Sequence, residues 1–318
     1  MAEPGKVDMS VAVAILTYKR REMLETALAK CEAAFRAAEM RAILLVIDND
    51  ADETARPVVE RHRDRFSAIH YHCEPRRGIP VARNRALDEA LAIGADALCF
   101  IDDDEYPDRE WLSRIVACWR ETGADLVGGP VEVARPIAGA GLLQRIINAS
   151  LAARMRRKNL KTARAAARNG RYTIITNNWL CDLAWQKRAR IRFDETLLIS
   201  GGSDTAFYRA ARKAGCETAW CPKALVRETV PLERLTFDYQ FRRAADQSIT
   251  RFRLKNPEVT PKIAVLASGA AALRFLLGAA LLLVPIFGAA SPMMAIRSLG
   301  WSAGRFQALR GKRSELYK

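Results

Sequence analysis

The first part of the chain alternates short apolar runs with amphipathic helical stretches, and this alternation limits the folds open to it. Three runs have the length and composition of buried strands, 11–16, 42–47 and 97–101, while 68–72 reads as a short strand and 125–127 as the start of another. Stretches with helical spacing of apolar residues lie between them: 21–41, 53–66, 79–93 and 111–121. Apolar strands that alternate with helices form a parallel sheet covered by helices on both faces. The pattern therefore predicts a doubly wound α/β fold with a mostly parallel sheet.

The composition is that of a globular protein and excludes several other classes. Half of the 318 residues are hydrophobic and 27% are charged, so wholesale disorder is excluded. The seven cysteines are widely spaced and form no C-x-x-C motif, which argues against a disulfide scaffold or a structural zinc site. The length allows one large domain or two small ones.

Polar clusters follow three of the predicted strands, at the edge of the sheet where ligands bind in doubly wound folds. They are Thr17-Tyr-Lys-Arg20, Asp48-Asn-Asp50 and Asp102-Asp-Asp-Glu105. In the third cluster, Asp102 and Asp104 are alternate residues and point the same way from an extended chain. Adjacent carboxylates repel one another unless a cation lies among them, and oxygen ligands suit Mg²⁺ or Mn²⁺. The alternatives are a solvated acidic turn at 102–105 and an ordinary turn rich in Asx residues at 48–50.

Charge is distributed unevenly along the chain. Residues 1–134 carry 25 acidic and 18 basic side chains, whereas residues 135–318 carry 11 acidic and 33 basic ones. A basic tract without acidic residues, 154–171, follows an apolar helical face at 142–155. The basic half predicts a polyanionic partner, which could be nucleic acid, an anionic membrane surface or a phosphate-bearing substrate.

A long apolar segment near the C-terminus predicts membrane association. Residues 263–290 contain one charged residue, Arg274, and residues 275–294 contain none. About 20 apolar residues are enough to cross a bilayer. A buried core helix, a hairpin or a helix lying in the interface are the alternatives, and basic residues on both flanks give no clear orientation. The first ten residues lack the pattern of a signal peptide, so we expect the protein at the cytoplasmic face of the inner membrane.

Several motifs occur in an order that resembles the inverting glycosyltransferases of family 2, which have a GT-A fold. They are Ala14-Ile-Leu-Thr-Tyr-Lys-Arg20, Val46-Ile-Asp-Asn-Asp50, Gly78-Ile-Pro-Val-Ala-Arg-Asn84, Phe100-Ile-Asp-Asp-Asp104, Phe193-Asp-Glu195 and Gly201-Gly-Ser-Asp204-Thr-Ala-Phe-Tyr-Arg209. The resemblance covers residues 10–250. It is strongest to the bacterial branch that builds exopolysaccharides such as succinoglycan.

The resemblance implies specific roles for residues of this chain. The donor nucleotide sugar would be bound by Thr17, Arg20, Asp48, Arg83, Asn84, Asp102 and Asp103. Asp104, with Asp102, would bind the metal in the D-x-D motif. Asp204 would be the catalytic base, although Ser203 stands where the family has an acidic residue.

The acceptor side is less defined by the sequence. We expect it to involve Asn178, Trp179, Gln240 and Arg243. Trp179 could stack on a sugar, but packing in the core is an equal alternative. Gln240-Phe-Arg-Arg243 resembles the Q-x-x-R-W motif of processive members, yet Ala244 replaces the tryptophan. Transfer of a single sugar is therefore expected rather than polymerisation.

Together these features predict a membrane-associated, metal-dependent inverting glycosyltransferase. Residues 1–134 would bind the nucleotide sugar, 135–250 would form the acceptor half, and 251–318 would form a membrane-associated helical region. The expected donor is a UDP-sugar, the acceptor a lipid-linked saccharide and the cofactor Mg²⁺ or Mn²⁺, with no nucleic acid. The alternatives are a Mg²⁺-dependent phosphohydrolase or nucleotidyltransferase that uses the acidic cluster, and a non-catalytic membrane protein that binds polyanions.

Overall fold

A computed structural model describes residues 9–38, 40–170, 172–198, 201–283 and 291–312 of the chain. The chain divides into two compact units. The first unit comprises Met1–Glu132, Met155–Leu198 and Ser203–Glu228, and the second comprises Val133–Arg154, Ile199–Gly202 and Thr229–Lys318. The functional division of the chain at residues 134 and 250 stays a prediction.

The described strands form two sheets. In chain order they are β1 (Ser10–Thr17), β2 (Arg41–Asp48), β3 (Ile69–Cys73), β4 (Ala97–Asp102), β5 (Glu105–Pro107), β6 (Leu126–Gly128), β7 (Val131–Val133), β8 (Trp179–Asp182), β9 (Thr218–Trp220) and β10 (Val226–Glu228). The larger sheet has the order β3-β2-β1-β4-β8-β6-β9, and the smaller has the order β5-β10-β7. The strands β1 to β4 pair in parallel, as the alternating sequence predicts.

Helices complete both units. They are α1 (Arg21–Arg36), α2 (Arg56–His62), α3 (Ile79–Ala92), α4 (Trp111–Thr122), α5 (Leu142–Ala166), α6 (Leu183–Ala189), α7 (Ser203–Lys213), α8 (Phe237–Lys255), α9 (Pro261–Leu283) and α10 (Ser291–Leu309). In the first unit, apolar side chains of α1, α2 and α4 pack on one face of the larger sheet. Those of α3, α6 and α7 pack on the other face. The predicted α/β architecture with flanking helices is confirmed.

Strand β8 makes the larger sheet mixed rather than purely parallel. It lies between β4 and β6 and runs antiparallel to both. The sequence pattern in this region shows only short mixed segments, because β8 has four residues and little periodicity to read. The strand brings the 176–182 segment into the middle of the sheet, next to the carboxyl end of β4.

Helices α8, α9 and α10 pack together within the second unit. A Cβ atom added at Gly300 or Gly304 of α10 would overlap backbone carbonyl oxygens of Phe241 and Ala245 in α8, so these helices run parallel at very close range. On its other side, α10 donates a 2.7 Å hydrogen bond from Ser302 Oγ to the carbonyl oxygen of Ala271 in α9. Small residues permit this approach because they have little or no side chain to separate the two backbones.

The predicted apolar segment therefore contributes to two helices. α9 ends at Leu283 and α10 begins at Ser291, and residues 284–290 lie outside the described part of the chain. In the described residues, α9 is long and apolar enough to cross a membrane by the criteria of length and composition. Most of α9 is not buried within the protein, which argues against the alternative of an ordinary core helix.

The close contact between α10 and α8 gives a stability prediction. We expect Gly304→Ala to lower the thermal unfolding temperature, because the new methyl group would force the α8 backbone away at a cost of about 1–3 kcal/mol. Gly269→Ala in α9 is the control, because no atom lies within 4 Å of a Cβ there. Equal unfolding temperatures for the two variants would contradict the packing described.

Candidate active site

The carboxyl ends of three parallel strands bring together the three polar clusters noted in the sequence. Thr17 at the end of β1 is paired in register with Asp48 at the end of β2. Leu16 of β1 is paired with Asp102 at the end of β4. Side chains far apart in the sequence thus meet at one edge of the sheet, as ligand sites do in such folds.

Asp103 is the buried centre of this edge. Thr17 Oγ1 donates a 2.9 Å hydrogen bond to Asp103 Oδ2, and Arg20 Nη1 donates a 3.0 Å bond to Asp103 Oδ1. Arg20 Nη1 also lies 3.6 Å from Asp104 Oδ2. Burial raises the pKa of Asp103 to about 6, against the opposing effect of the Arg20 charge. In this structure Thr17 and Arg20 therefore hold the acidic loop in place.

Asp102 and Glu105 form a second, crowded pair of carboxylates beside Asp103. Glu105 Oε2 accepts a 2.9 Å hydrogen bond from the backbone N–H of Asp102. Glu105 is also paired directly with Glu228 across the antiparallel strands β5 and β10. Desolvation raises the pKa of Asp102 to about 7 and holds the pKa of Glu105 well above its usual range, and the neighbouring carboxylates add to both shifts. A positive charge bound here would relieve this repulsion.

Arg83 connects the carboxylates of residues 102–105, here called the acidic edge, to the segment that contains Asp204. Its guanidinium lowers the pKa of Asp102 and so partly offsets the effect of burial. Its Nη1 donates a 2.8 Å hydrogen bond to Ser203 Oγ, at the first residue of α7. Asp204 follows in the first turn, half-buried, and its Oδ1 accepts a 2.7 Å bond from the N–H of Thr205. The serine that departs from the family pattern is thus a partner of Arg83.

Asn84, one residue after Arg83, attaches α3 to the Phe193–Glu195 motif. Its Oδ1 accepts a 2.9 Å hydrogen bond from the N–H of Phe193, and its Nδ2 donates to the Phe193 carbonyl and to Glu195 Oε1 at 3.0 and 2.9 Å. The amide group is buried and both of its ends are occupied. Asn84 in this arrangement positions the backbone, and direct contact with a donor stays a prediction.

Asp48 is buried but only half-satisfied. Its Oδ2 accepts hydrogen bonds from the N–H of Ala55 at 2.9 Å and from the Tyr71 hydroxyl at 2.8 Å. Its Oδ1 is buried with no hydrogen-bond partner among the described residues. Because an unsatisfied buried acceptor is costly, an incoming N–H donor at this oxygen would stabilise the site.

The two expected acceptor residues at the start of β8 lie in the interior instead. Trp179 is 1% exposed and packs against Phe100, Phe193 and Phe207. The Asn178 amide accepts a 2.8 Å hydrogen bond from Trp111 Nε1, and it donates to the carbonyl oxygens of residues 130 and 224. The structure favours the core-packing alternative for Trp179, and it gives Asn178 a structural role that the sequence did not indicate.

The other two expected acceptor residues belong to α8 in the second unit. Gln240 is buried, and its Nε2 donates a 2.9 Å hydrogen bond to the carbonyl oxygen of Arg234. Arg243 is half-buried on the next turn of the same helix. Their predicted roles with an acceptor stay predictions.

Two features of the acidic edge were not assigned by the sequence reasoning. Glu105 belongs to the acidic run, but its burial and its bond to Asn177 Nδ2 follow only from the fold. Glu228 comes from β10, 123 residues beyond Glu105, and carries no motif that would have marked it. The one available signal was the presence of an acidic residue in the short Val226–Glu228 strand.

The donor set of the acidic edge fits a divalent cation that is shared with a substrate. No group of three or more Asp, Glu, His or Cys side chains in the described ranges is arranged to hold a metal by itself. Asp102 and Asp104 supply carboxylate oxygens on one loop, and Mg²⁺ is commonly held by one or two carboxylates together with substrate phosphates. Burial and, to a smaller extent, the neighbouring carboxylates raise the pKa of Asp102. A cation bound here would favour its ionised form.

The mixed sheet, with a D-x-D carboxylate pair at its carboxyl edge, is that of a GT-A glycosyltransferase fold. Residues 12–179 match the family model described as "Glycosyl transferase family 2". The chain belongs to this family. The expectation drawn from the sequence motifs is confirmed.

The chain is also similar to a characterised relative. It is 32% identical over 255 residues to "Succinoglycan biosynthesis protein ExoM" of Rhizobium meliloti (strain 1021). The match covers 77% of this chain and 75% of the relative.

Solved structures share the fold at low sequence identity. The mannosyltransferase PcManGT from Pyrobaculum calidifontis, solved with GDP-Man and Mn²⁺, superposes with a TM-score of 0.57 at 18% identity, covering 95% of this chain and 87% of that one. TarS from S. aureus superposes with a TM-score of 0.50 at 15% identity. That match covers 94% of this chain, which spans 55% of the length of TarS. A shorter TarS form with UDP-GlcNAc also has a TM-score of 0.50, at 14% identity, with 96% and 93% covered.

The hydrogen bonds of Asn178 give a prediction that separates the structural role from acceptor binding. We expect Asn178→Leu to lower the free energy of unfolding by about 2 kcal/mol or more, because it leaves a buried indole N–H and the carbonyl of residue 224 without partners at about 1–3 kcal/mol each. The carbonyl of residue 130 loses one donor but keeps the N–H of Val226. Urea unfolding measures this loss. A variant with unchanged stability and a raised acceptor KM would instead restore the acceptor role.

Proposed function

We propose that this protein transfers one sugar from a nucleotide-sugar donor to a saccharide acceptor, with inversion at the anomeric carbon, in the biosynthesis of a bacterial surface or secreted polysaccharide. The observation that carries the proposal is the Arg83 link between the acidic edge and the Ser203–Asp204 turn. It places a carboxylate from a distant segment in the same unit as the D-x-D pair. Inverting transfer needs both: groups that stabilise the leaving diphosphate, and a base for the attacking hydroxyl.

The strand ends supply the donor side. Asp48 Oδ1, buried and unpartnered, is suited to accept a hydrogen bond from the N–H of a nucleotide base. Arg20 and Arg83 put positive charge beside the acidic loop, where a diphosphate would otherwise be repelled. Solved GT-A structures with UDP-GlcNAc and with GDP-Man support a nucleotide sugar as donor, and we propose a UDP-sugar for this chain.

Asp104 and Asp102 would hold the divalent cation, Mg²⁺ or Mn²⁺, together with the donor diphosphate. Such an ion would neutralise the negative charge that develops on the leaving group. The protein's part is to keep the acidic loop in position, and Thr17 and Arg20 do this by binding Asp103. The PcManGT structure with Mn²⁺ supports this assignment.

Asp204 would remove the proton from the acceptor hydroxyl as the new glycosidic bond forms. Its carboxylate lies at the start of α7, half-exposed, and Ser203 before it is fixed by Arg83. The relative named for succinoglycan biosynthesis and the apolar α9 support the acceptor class that we propose. We propose a lipid-linked saccharide, used at the cytoplasmic face of the membrane.

The metal assignment is tested by Asp104→Asn. The substitution keeps the size of the side chain but removes one negative ligand, so we expect loss of Mn²⁺-dependent donor binding and of transfer with an unchanged fold. Calorimetry with UDP-sugars, with and without Mn²⁺, measures the binding. The matched control is Asp64→Asn, an exposed aspartate outside the site. Full activity in EDTA would refute the metal assignment.

The base assignment is tested by Asp204→Asn. Because the amide cannot accept the proton, transfer should fall roughly 10²–10⁴-fold, while donor affinity barely changes. Single-turnover rates and donor Kd values, compared with Asp64→Asn, separate the two effects. Equal loss of donor binding would place Asp204 in the nucleotide site. Hydrolysis of the donor faster than any transfer would favour a phosphohydrolase.

A further inference from the structure

Four arginines of the second unit lie on four different helices. They are Arg154 of α5, Arg251 of α8, Arg274 of α9 and Arg305 of α10. Arg154, Arg251 and Arg274 are exposed, and Arg305 is half-buried. We call them the arginine cluster. It is separate from the exposed pair Arg156 and Arg157 in the basic tract that follows Arg154 on α5.

Trp301 of α10 contacts two members of the arginine cluster. The guanidinium carbon of Arg274 lies 4.5 Å from the centre of the Trp301 ring, and that of Arg305 lies 4.6 Å from it. Arg305 also lies 4.6 Å from the centre of the Phe252 ring in α8. Stacking on an aromatic ring orients a guanidinium without neutralising its charge, because its in-plane N–H groups stay directed outwards.

Arg154 and Arg251 add their positive charges to the same region of the second unit. Desolvation lowers the pKa of Arg154, and the charges of Arg251, Arg243 and Arg274 lower it further. Like charges held close together destabilise the folded protein unless an anion binds among them. The arrangement therefore has a cost that a ligand could remove.

No carboxylate of the described residues forms an ion pair with any of the four. The ion pair found on α8 instead joins Arg242 to Asp238. In addition, Arg305 Nε is buried without a hydrogen-bond partner in the part of the chain that is described. Several unneutralised donors from separate helices are the chemistry that recognises phosphate.

The cluster lies within an apolar surface rather than on an ordinary polar one. Arg274 is flanked on α9 by exposed Leu273 and Phe275, and six further large apolar side chains of this helix are exposed: Val265, Leu266, Leu276, Leu277, Leu282 and Leu283. A surface of this kind fits the boundary between lipid headgroups and acyl chains. Arg274 is near the middle of the 23-residue helix, where a transmembrane orientation would place its charge near the bilayer centre. These observations favour α9 lying in the interface, with the arginines at the level of the phosphates.

We propose that Arg154, Arg251, Arg274 and Arg305 form a binding site for the headgroup of a membrane lipid that carries a diphosphate. A diphosphate presents more than one negative charge to four cations, whereas a phosphatidylglycerol headgroup presents a single charge. Arginine can bind such oxygens through paired N–H donors. The binding site stands on these contacts alone, and its assignment to the acceptor rests on the proposed function.

Vesicle binding of the full-length protein tests the proposal without any sugar donor. Phosphatidylcholine vesicles carry either a polyprenyl diphosphate or phosphatidylglycerol at matched net charge. We expect tighter binding to the diphosphate vesicles. Inorganic pyrophosphate should compete for the cluster and remove this preference without releasing the protein from the vesicles. Equal affinity for the two vesicle types would overturn the diphosphate assignment. Equal affinity for pyrophosphate in lipid-free detergent and on vesicles would overturn the assignment of the ligand to a lipid headgroup.

A matched pair of double variants separates the cluster from general basic charge. Arg251→Ala with Arg274→Ala should weaken binding to diphosphate vesicles roughly 30-fold, at about fivefold for each arginine. Arg156→Ala with Arg157→Ala makes the same change in net charge on the exposed basic tract, and should weaken binding to both vesicle types by a similar, smaller factor. Equal effects of the two double variants on the preference would overturn the site.

Trp301 supplies a variant that changes no charge. Trp301→Leu should reduce the preference for diphosphate vesicles because Arg274 and Arg305 lose their common platform, and Trp301→Phe should restore much of it. Circular dichroism and thermal unfolding check that each variant is folded. An unchanged preference in a folded Trp301→Leu variant would show that the stacking has no part in binding.

Apolar substitutions distinguish membrane docking from headgroup recognition. Leu266→Gln with Leu276→Gln should weaken binding to all vesicles alike, because both side chains are exposed and neither lies in the cluster. Asp204→Asn should leave vesicle binding unchanged while it lowers transfer roughly 10²–10⁴-fold. A failure of the glycosyltransferase proposal and a failure of the lipid site therefore give different results.

Discussion

The crowding of carboxylates at the carboxyl edge of the sheet is the constraint on which the site depends. Asp102, Asp103 and Glu105 are held close together with little water, and burial raises the pKa of each. Such a cluster persists only if positive charge and hydrogen-bond donors are delivered to it. Thr17 at the end of β1 and Arg20 directly before α1 supply them, and a bound cation would complete the compensation.

Arg83 extends this compensation to the opposite half of the site. It offsets the negative charge around Asp102 and at the same time binds Ser203, so one side chain links the donor edge to the turn that carries Asp204. Asn84 beside it ties the same helix to the Phe193–Glu195 motif. Two consecutive residues of α3 thus bind two segments that lie more than one hundred residues further along the chain. The bond to Arg83 explains how Ser203 can stand in the position of an acidic neighbour.

In the second unit, close packing between helices holds the exposed apolar helix α9 in place. α10 packs against α8 through Gly300 and Gly304 and donates the hydroxyl of Ser302 to α9. Small residues therefore take the interior contacts, while the large apolar side chains of α9 remain on the outside. Arg274 of α9 and Arg305 of α10 both stack on the ring of Trp301, and neither forms an ion pair with a carboxylate of the described residues.

The sequence by itself determined the alternation of strands and helices, the order of the family motifs, the acidic run after β4 and the apolar C-terminal segment. Each depends only on local periodicity or on adjacent residues, so it can be recognised without knowledge of tertiary contacts. Tertiary structure decided what these residues touch. Arg83 meets Ser203 across 120 residues, Trp179 and Asn178 turn into the core, and Trp301 joins Arg274 to Arg305. Such pairings depend on how strands order in the sheet and how helices cross, and no local pattern records either.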